Sequence, residues 1–168
     1  IDGQLTLNIV PPQPLQTITT NWGARDANWF ADYPTSARKV IHFLEASRTY
    51  QDRGIAFSGA IAINIPVIKD ILSIVGPLEL TEPAITLTAE TFLEEIQREV
   101  ETKQSKNILK RATPILFEKL NRLTDAQKQD VIAAIAQRFT NNDMMIYFVN
   151  PVMESFVKQV GVGGELFP

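Results

Sequence analysis

The chain has 168 residues, 45% apolar and 21% charged, which suffices for one domain with a real core and excludes a disordered polyelectrolyte. Sixteen basic against 19 acidic residues give a net charge of −3, so the chain is no strongly basic nucleic-acid binder, and no nucleic-acid partner is expected. The absence of cysteine and the presence of one histidine, His42, exclude disulfides, thiolate nucleophiles, thiolate metal sites and multi-histidine zinc sites.

The sequence opens on Ile1 rather than Met and stops at Pro168 just after a Gly-rich stretch. It is therefore expected to be a piece of a longer protein. Within it there is no run of 18 apolar residues to span a membrane and no signal peptide.

Taken in chain order, Gln4-Leu5-Thr6-Leu7-Asn8-Ile9 alternates as a short strand does, and Pro11, Pro12 and Pro14 end it. A long aperiodic loop follows. A helix is predicted from Thr35 to Ser47, with Ala37, Val40, Ile41 and Leu44 on one face and Asp32 or Thr35 as its cap. Gly59–Ile63 reads as a buried, central strand without a charge. Asn64 and Pro66 start a helix with Ile68, Ile71, Leu72 and Val75 on one side, and Gly76-Pro77 stop it. A strand at 78–80 would complete a β-α-β passage, compatible with a parallel pairing, and 84–87 is a further strand.

Helical patterns then dominate. Residues 89–103 carry Phe92, Leu93, Ile96 and Val100 as an apolar stripe, with Glu94–Arg98 and Glu99–Lys103 as four-apart ion pairs. Residues 107–120 place Leu109, Ala112, Leu116 and Leu120 inward, and Pro114 should kink or divide that helix. Thr124 and Gln127 form a capping box for a helix burying Val131, Ile132, Ile135, Ala136 and Phe139, ended by Asn141-Asn142. A strand at 144–149 and a last helix from Asn150-Pro151 to Val160, closed by Gly161, complete the chain. The expected fold is one α/β domain over residues 1–168, a mixed central sheet covered by several helices, with strand order left open.

Phosphate-loop, dinucleotide, HExxH and GxSxG motifs are all missing, and Gly161-Val162-Gly163-Gly164 reads as an exit loop. His42 reads as an ordinary solvated or bonded side chain, and Tyr147, Phe148 and Phe156 as core. Glu90, Glu94, Glu95, Glu99 and Glu101 form a solvated acidic face. The basic strip Lys106, Lys110, Arg111, Lys119 and Arg122 could meet anionic lipid or a polyanion; the plainer expectation is that it faces that acidic helix. The loop before residue 35 is the sharpest candidate site, since Arg25, Asp26, Asn28 and Asp32 lie close together and Arg38 follows one turn on. Arginine binds phosphate bidentately, and aspartate can hold a divalent cation that neutralises pyrophosphate. The rival reading is as physical: Arg25 pairs with Asp26 or Asp32 to pin the loop, with Trp22 and Trp29 packed beneath.

The stretch Trp22-Gly23-Ala24-Arg25-Asp26-Ala27-Asn28-Trp29-Phe30-Ala31-Asp32-Tyr33-Pro34-Thr35-Ser36-Ala37 resembles the signature of an uncharacterised bacterial envelope family, domain of unknown function 4012. Support comes from Gly59–Asn64, Val75–Glu79 and Gly164-Glu165-Leu166. The resemblance implies a domain on the extracytoplasmic face of the membrane, in a parent anchored by an N-terminal helix. The family is in turn distantly similar to LytR–CpsA–Psr transferases, which move glycopolymers from a polyprenyl-pyrophosphate carrier to the cell wall.

By that resemblance Arg25 and Arg38 are candidate pyrophosphate ligands, and Asp26 and Asp32 candidate ligands for Mg or Mn. Asn28, Trp22 and Trp29 would support the loop. The arginine-rich motifs further along those enzymes have no clear counterpart. The implied functions are therefore a module that binds envelope polymer or a partner and, alternatively, a cation-dependent phosphotransferase acting on polyprenyl-pyrophosphate-linked glycan.

Overall fold

The computed structural model describes residues 9–82, 84–101 and 107–166, without the side chains of Arg25, Val100 and Asn107. The chain divides into two compact units, Ile1–Ala62 with Met145–Pro168, and Ile63–Met144. Among the described residues the strands form two separate two-stranded sheets rather than one mixed central sheet. The strand expected at 4–9 lies outside the described residues except for Ile9.

The first unit is built on helix α1, Tyr33–Ala46, followed by a single turn α2, Arg48–Gln51, which the sequence pattern does not announce. Asp32 is the cap that starts α1, its carboxylate accepting from the Thr35 N–H at 3.0 Å. Strand β1 is Gly59–Ile63 and pairs with β4, Met144–Phe148. The pair is antiparallel: Val149 N–H donates to the Ser58 carbonyl at one end, and Asn64 N–H donates to the Asp143 carbonyl at the other.

Ala60 and Ala62 of β1, with Met145, pack on a core of Tyr33, Ala37, Ile41 and Tyr147. The alternate residues point away, as the two-residue period of a strand requires. Ile61 is 57% exposed and Ile63 48%, so β1 is neither central nor buried on both faces. The Ile61→Asp variant should accordingly fold, with stability changed by roughly 1 kcal/mol or less. A urea melt of the variant checks this; loss of folded protein would restore a two-sided burial for β1.

The last helix of this unit, α7, is Pro151–Gln159, one residue shorter than expected and capped by Asn150, whose side chain accepts from Val152 N–H at 2.9 Å and Met153 N–H at 3.2 Å. The Gly-rich stretch after it is not a free exit. Ile146 N–H donates to the Val162 carbonyl at 3.0 Å, and Tyr33 N–H to the Gly164 carbonyl at 3.1 Å. Of the three aromatic residues expected in the core, Tyr147 is buried, whereas Phe156 is 59% exposed on α7.

The second unit opens with α3, Ile65–Val75. Gly76 ends it at φ +79°, in the left-handed region where a side chain is strained, and donates its N–H to the Leu72 carbonyl. Strand β2, Leu78–Thr81, pairs antiparallel with β3, Ala84–Leu87, in the register Leu78–Leu87 and Leu80–Ile85. No parallel β-α-β pairing forms, because β2 finds its partner across the shortest available loop, which costs little closure entropy. Helices α4, Phe92–Glu101, and α5, Asn107–Asn121, cover this hairpin.

The core of the second unit is Leu72, Leu78, Leu80, Leu87, Phe92, Ile108 and Ala112. The buried face of α5 thus runs through Ile108 and Ala112 with Ile115 and Leu116, and Leu109, expected inside, is 48% exposed. The rotation is anchored by Glu99, whose carboxylate accepts from the Ile108 N–H at 3.0 Å. Pro114 lies inside α5 without dividing it.

Helix α6, Asp125–Thr140, begins with the predicted capping box between Thr124 and Gln127. Of its expected inner face, Val131 is buried but Ile132 is 67% exposed. The charges also differ from expectation. Arg98 pairs with Glu95 rather than Glu94, and Glu118 pairs with Arg122 just past the end of α5; the expected partner Lys103, and Lys106 of the basic strip, lie outside the described residues. Lys119 donates to the Val75 carbonyl at 3.2 Å, placing a cation at the C-terminus of α3. Arg138 grips both Asp70 carboxylate oxygens, at 2.6 and 2.9 Å, and also Asp143 at 3.1 Å, tying α6 to α3. The Arg138 hydrogen bonds hold the Asp70 pKa below its ordinary value.

Candidate functional site

The signature stretch folds as a clasp on α1. Trp22 is buried edge-on against Phe43, with ring centroids 5.1 Å apart, and its indole N–H donates to the Asp26 carbonyl at 3.0 Å. Its backbone N–H donates to the Ile9 carbonyl at 2.8 Å. Lys39 Nζ lies 4.9 Å over the same ring. Ala27 is fully buried, and fully buried Ser36 donates its hydroxyl to the Phe30 carbonyl at 2.8 Å. The short 3-10 turn Ala24–Asp26 carries the chain between these anchors.

The candidate ligands divide accordingly. The Arg25 side chain lies outside the described residues. Asp26 has a partner of its own. Asp32 is engaged as the α1 cap, and its pKa is lowered, first by the Thr35 side-chain hydrogen bond, then by backbone bonds to Thr35 and Leu166 and by the Arg38 charge, with burial opposing. Asn28 is exposed, and Trp29, expected beneath the loop, is 48% exposed. Trp22 alone of the pair packs under the loop, because its indole finds both an apolar wall and a carbonyl acceptor. Among the described residues no three His, Asp or Glu side chains gather to hold a metal ion.

Arg38 is placed differently. Its Nη2 donates to the Thr35 hydroxyl at 3.0 Å, and its guanidinium carbon sits 5.8 Å from the centre of the Tyr147 ring. It borders an open groove of about 200 Å³ lined by Arg38, Ile41, His42, Glu45, Tyr147 and Val149. Residues 38, 41, 42 and 45 follow the three- and four-residue spacing of one α1 face. Tyr147 and Val149 arrive from β4 and just beyond it, which no local pattern in the sequence signals. Glu45 is held by the Phe57 N–H, which donates to its Oε1 at 2.9 Å.

Two further residues shape this unit and were not singled out by sequence reasoning. Glu154 is 9% exposed; its Oε2 accepts from the Phe148 N–H at 2.8 Å, and among the described residues its Oε1 has no hydrogen-bond partner. Tyr33 is 7% exposed, and its pKa is pushed up to about 12, chiefly by burial, with the Glu154 charge adding and a backbone hydrogen bond at Ala62 opposing. The folded state thus holds the phenol proton more tightly than the unfolded chain, whose tyrosines titrate near ~10. The stability contributed by neutral Tyr33 is complete below that pH and is lost as pH rises from about 10 to 12. Thermal midpoints recorded across that window should fall more steeply for the wild type than for Tyr33→Phe; parallel curves would remove Tyr33 from the alkaline transition.

Among the described residues no helix is long and apolar enough to cross a membrane. Comparison with curated proteins and with solved structures gives no match. No finding links the chain specifically to the LytR–CpsA–Psr transferases. The family described as protein of unknown function, DUF4012, matches residues 8–100, more than half of the chain, including the clasp, α1, α3 and the β2–β3 hairpin. On that match the chain belongs to the DUF4012 family.

Proposed function

We propose that the chain is a non-catalytic binding module of a bacterial cell-envelope protein, working on the extracytoplasmic side of the membrane and engaging envelope polymer or a partner. The reading rests on one contrast. The signature residues Trp22, Ala27, Asp32 and Ser36 are engaged in holding the loop to α1, while the groove beside Arg38 stays open on the same helix. A phosphoryl-transfer site must neutralise the phosphates and activate an acceptor. Asp32, one of the carboxylates proposed for the first task, already serves as a helix cap. The envelope placement follows the family resemblance of the signature loop.

Pelleting of the purified chain with bacterial sacculi that retain their attached wall polymers tests the reading. Saturable recovery in the pellet is the expected result. A chain that stays in the supernatant at every sacculus concentration would overturn binding. Turnover of a polyprenyl-pyrophosphate-linked glycan in the presence of magnesium would overturn the non-catalytic assignment.

A further inference from the structure

We infer that the groove between α1 and Tyr147 takes a carboxylate-bearing sugar unit, a uronic acid in chemical class, with Arg38 receiving the carboxylate. The inference deepens the binding-module reading and rests on it. Arg38 carries the argument. Its exposed guanidinium is anchored at the Thr35 hydroxyl, 3.0 Å away, and lies 5.8 Å from the centre of the Tyr147 ring. Among the described residues it forms no ion pair, although it is near enough to Asp32 to act on that carboxylate through its charge. One of five guanidinium N–H donors is engaged at Thr35, leaving an edge free to meet a planar carboxylate with two parallel hydrogen bonds. A fork already held in place loses less side-chain entropy on binding than a freely rotating one.

The rest of the groove suits a sugar ring. Val149, 51% exposed, supplies the apolar surface, to which Ile41, 6% exposed, adds little. His42 can donate or accept toward a hydroxyl. Glu45 keeps Oε2 as an acceptor while Oε1 is engaged by the Phe57 N–H. A space of about 200 Å³ fits one such unit; it is below the range of sites for drug-sized ligands, ~300–1,000 Å³. Charge ranks the anions. Arg38 shares the groove with Glu45 and lies near enough to Asp32 to act on it, while Lys158 is bound to Glu165 at 2.8 Å. With those carboxylates close by, a monoanionic carboxylate meets less repulsion at Arg38 than a phosphate dianion does.

The test is an amide NMR titration of the full chain with glucuronate, glucose, a glutamate-containing acidic peptide and inorganic phosphate, each carried to millimolar concentration. Glucuronate should shift resonances of residues 35–45 and 145–149, with glucose, the peptide and phosphate each binding more weakly. Arg38→Gln should weaken glucuronate at least about tenfold, the scale of a lost charged hydrogen bond, with the thermal midpoint unchanged. Equal binding of glucose and glucuronate, tighter binding of phosphate or of the peptide, or unchanged affinity in Arg38→Gln would overturn the inference. The wild-type comparison among probes decides the matter even if the variant fails to fold. Sacculus pelleting separates the two claims. Pelleting without any glucuronate response sinks the sugar-acid site alone, whereas a glucuronate response without pelleting sinks the polymer-binding reading alone.

Discussion

Leu87→Ala should destabilise the second unit by about 2–5 kcal/mol, the range for truncating a fully buried leucine. Leu87 has no exposed surface and stands directly opposite Leu78, itself 2% exposed, in the β2–β3 register. Leu72, Phe92, Ile108 and Ala112 close the same core from α3, α4 and α5. Removing three carbons at that point takes away transfer energy and leaves a cavity that strands, unlike flexible loops, cannot collapse to fill. Marginal domains have only ~5–15 kcal/mol of total stability, so the loss reaches a large fraction of it. Urea denaturation monitored by circular dichroism checks the value. A change below about 1 kcal/mol would mean that this hairpin is not the centre of the core. The exposed Leu109→Ala on α5 serves as the matched control, expected to cost far less because that side chain is half in water already.

Gly59→Ala should disrupt the β1–β4 pairing. A Cβ at position 59 would collide with the backbone carbonyl oxygen of Tyr147 and lie 3.3 Å from the Phe148 Cα. The obstacle is backbone on the paired strand, which cannot rotate away as a side-chain tip would. The strands must therefore separate at that end or the alanine must distort its own backbone, and a cost of roughly 2–4 kcal/mol is expected, as for other overpacked or strained sites. Hydrogen exchange is the suitable measurement, because the Val149 N–H that donates to the Ser58 carbonyl reports on this end of the ladder. Faster exchange at Val149 with unchanged protection in the β2–β3 hairpin is the expected pattern. Unaltered protection at Val149 would show that the sheet accommodates the methyl group. Two residues further along the same strand, the much more drastic change in polarity of Ile61→Asp should be tolerated because Ile61 faces water.

Element boundaries were readable from the sequence wherever a local chemical device sets them. Thr124 and Gln127 start α6, Asn150 with Pro151 starts α7, and Gly76 stops α3, whereas at α1 the sequence leaves Asp32 and Thr35 both open as the cap and the helix begins two residues before the expected Thr35. Each device acts within one turn of the chain, satisfying N–H groups that a helix end leaves free or supplying a backbone angle that other residues resist. The strands at 59–63, 78–81, 84–87 and 144–148 were marked by their runs of apolar and β-branched residues, although their environment was not. The signature loop was likewise recognisable as a special segment. Its residue types alone left both a ligand site and a structural clasp open, because the same arginine and aspartate serve both.

Only the tertiary structure decided which strands meet. β1 pairs with a strand some eighty residues away, and β2 pairs with its immediate successor, so the parallel passage suggested by their order does not form. Pairing is settled by the free energy of whole faces coming together, a quantity that no short window of sequence contains. The same reason governs which side of a helix is buried. Leu109 and Ile132 belong to good apolar stripes and yet face solvent, since the neighbouring elements cover Ile108 and Val131 instead. It also governs the groove. The spacing of Arg38, Ile41, His42 and Glu45 is written in α1, but it becomes a site only where β4 brings Tyr147 beneath the Arg38 guanidinium, a juxtaposition created by the fold across more than a hundred residues of chain.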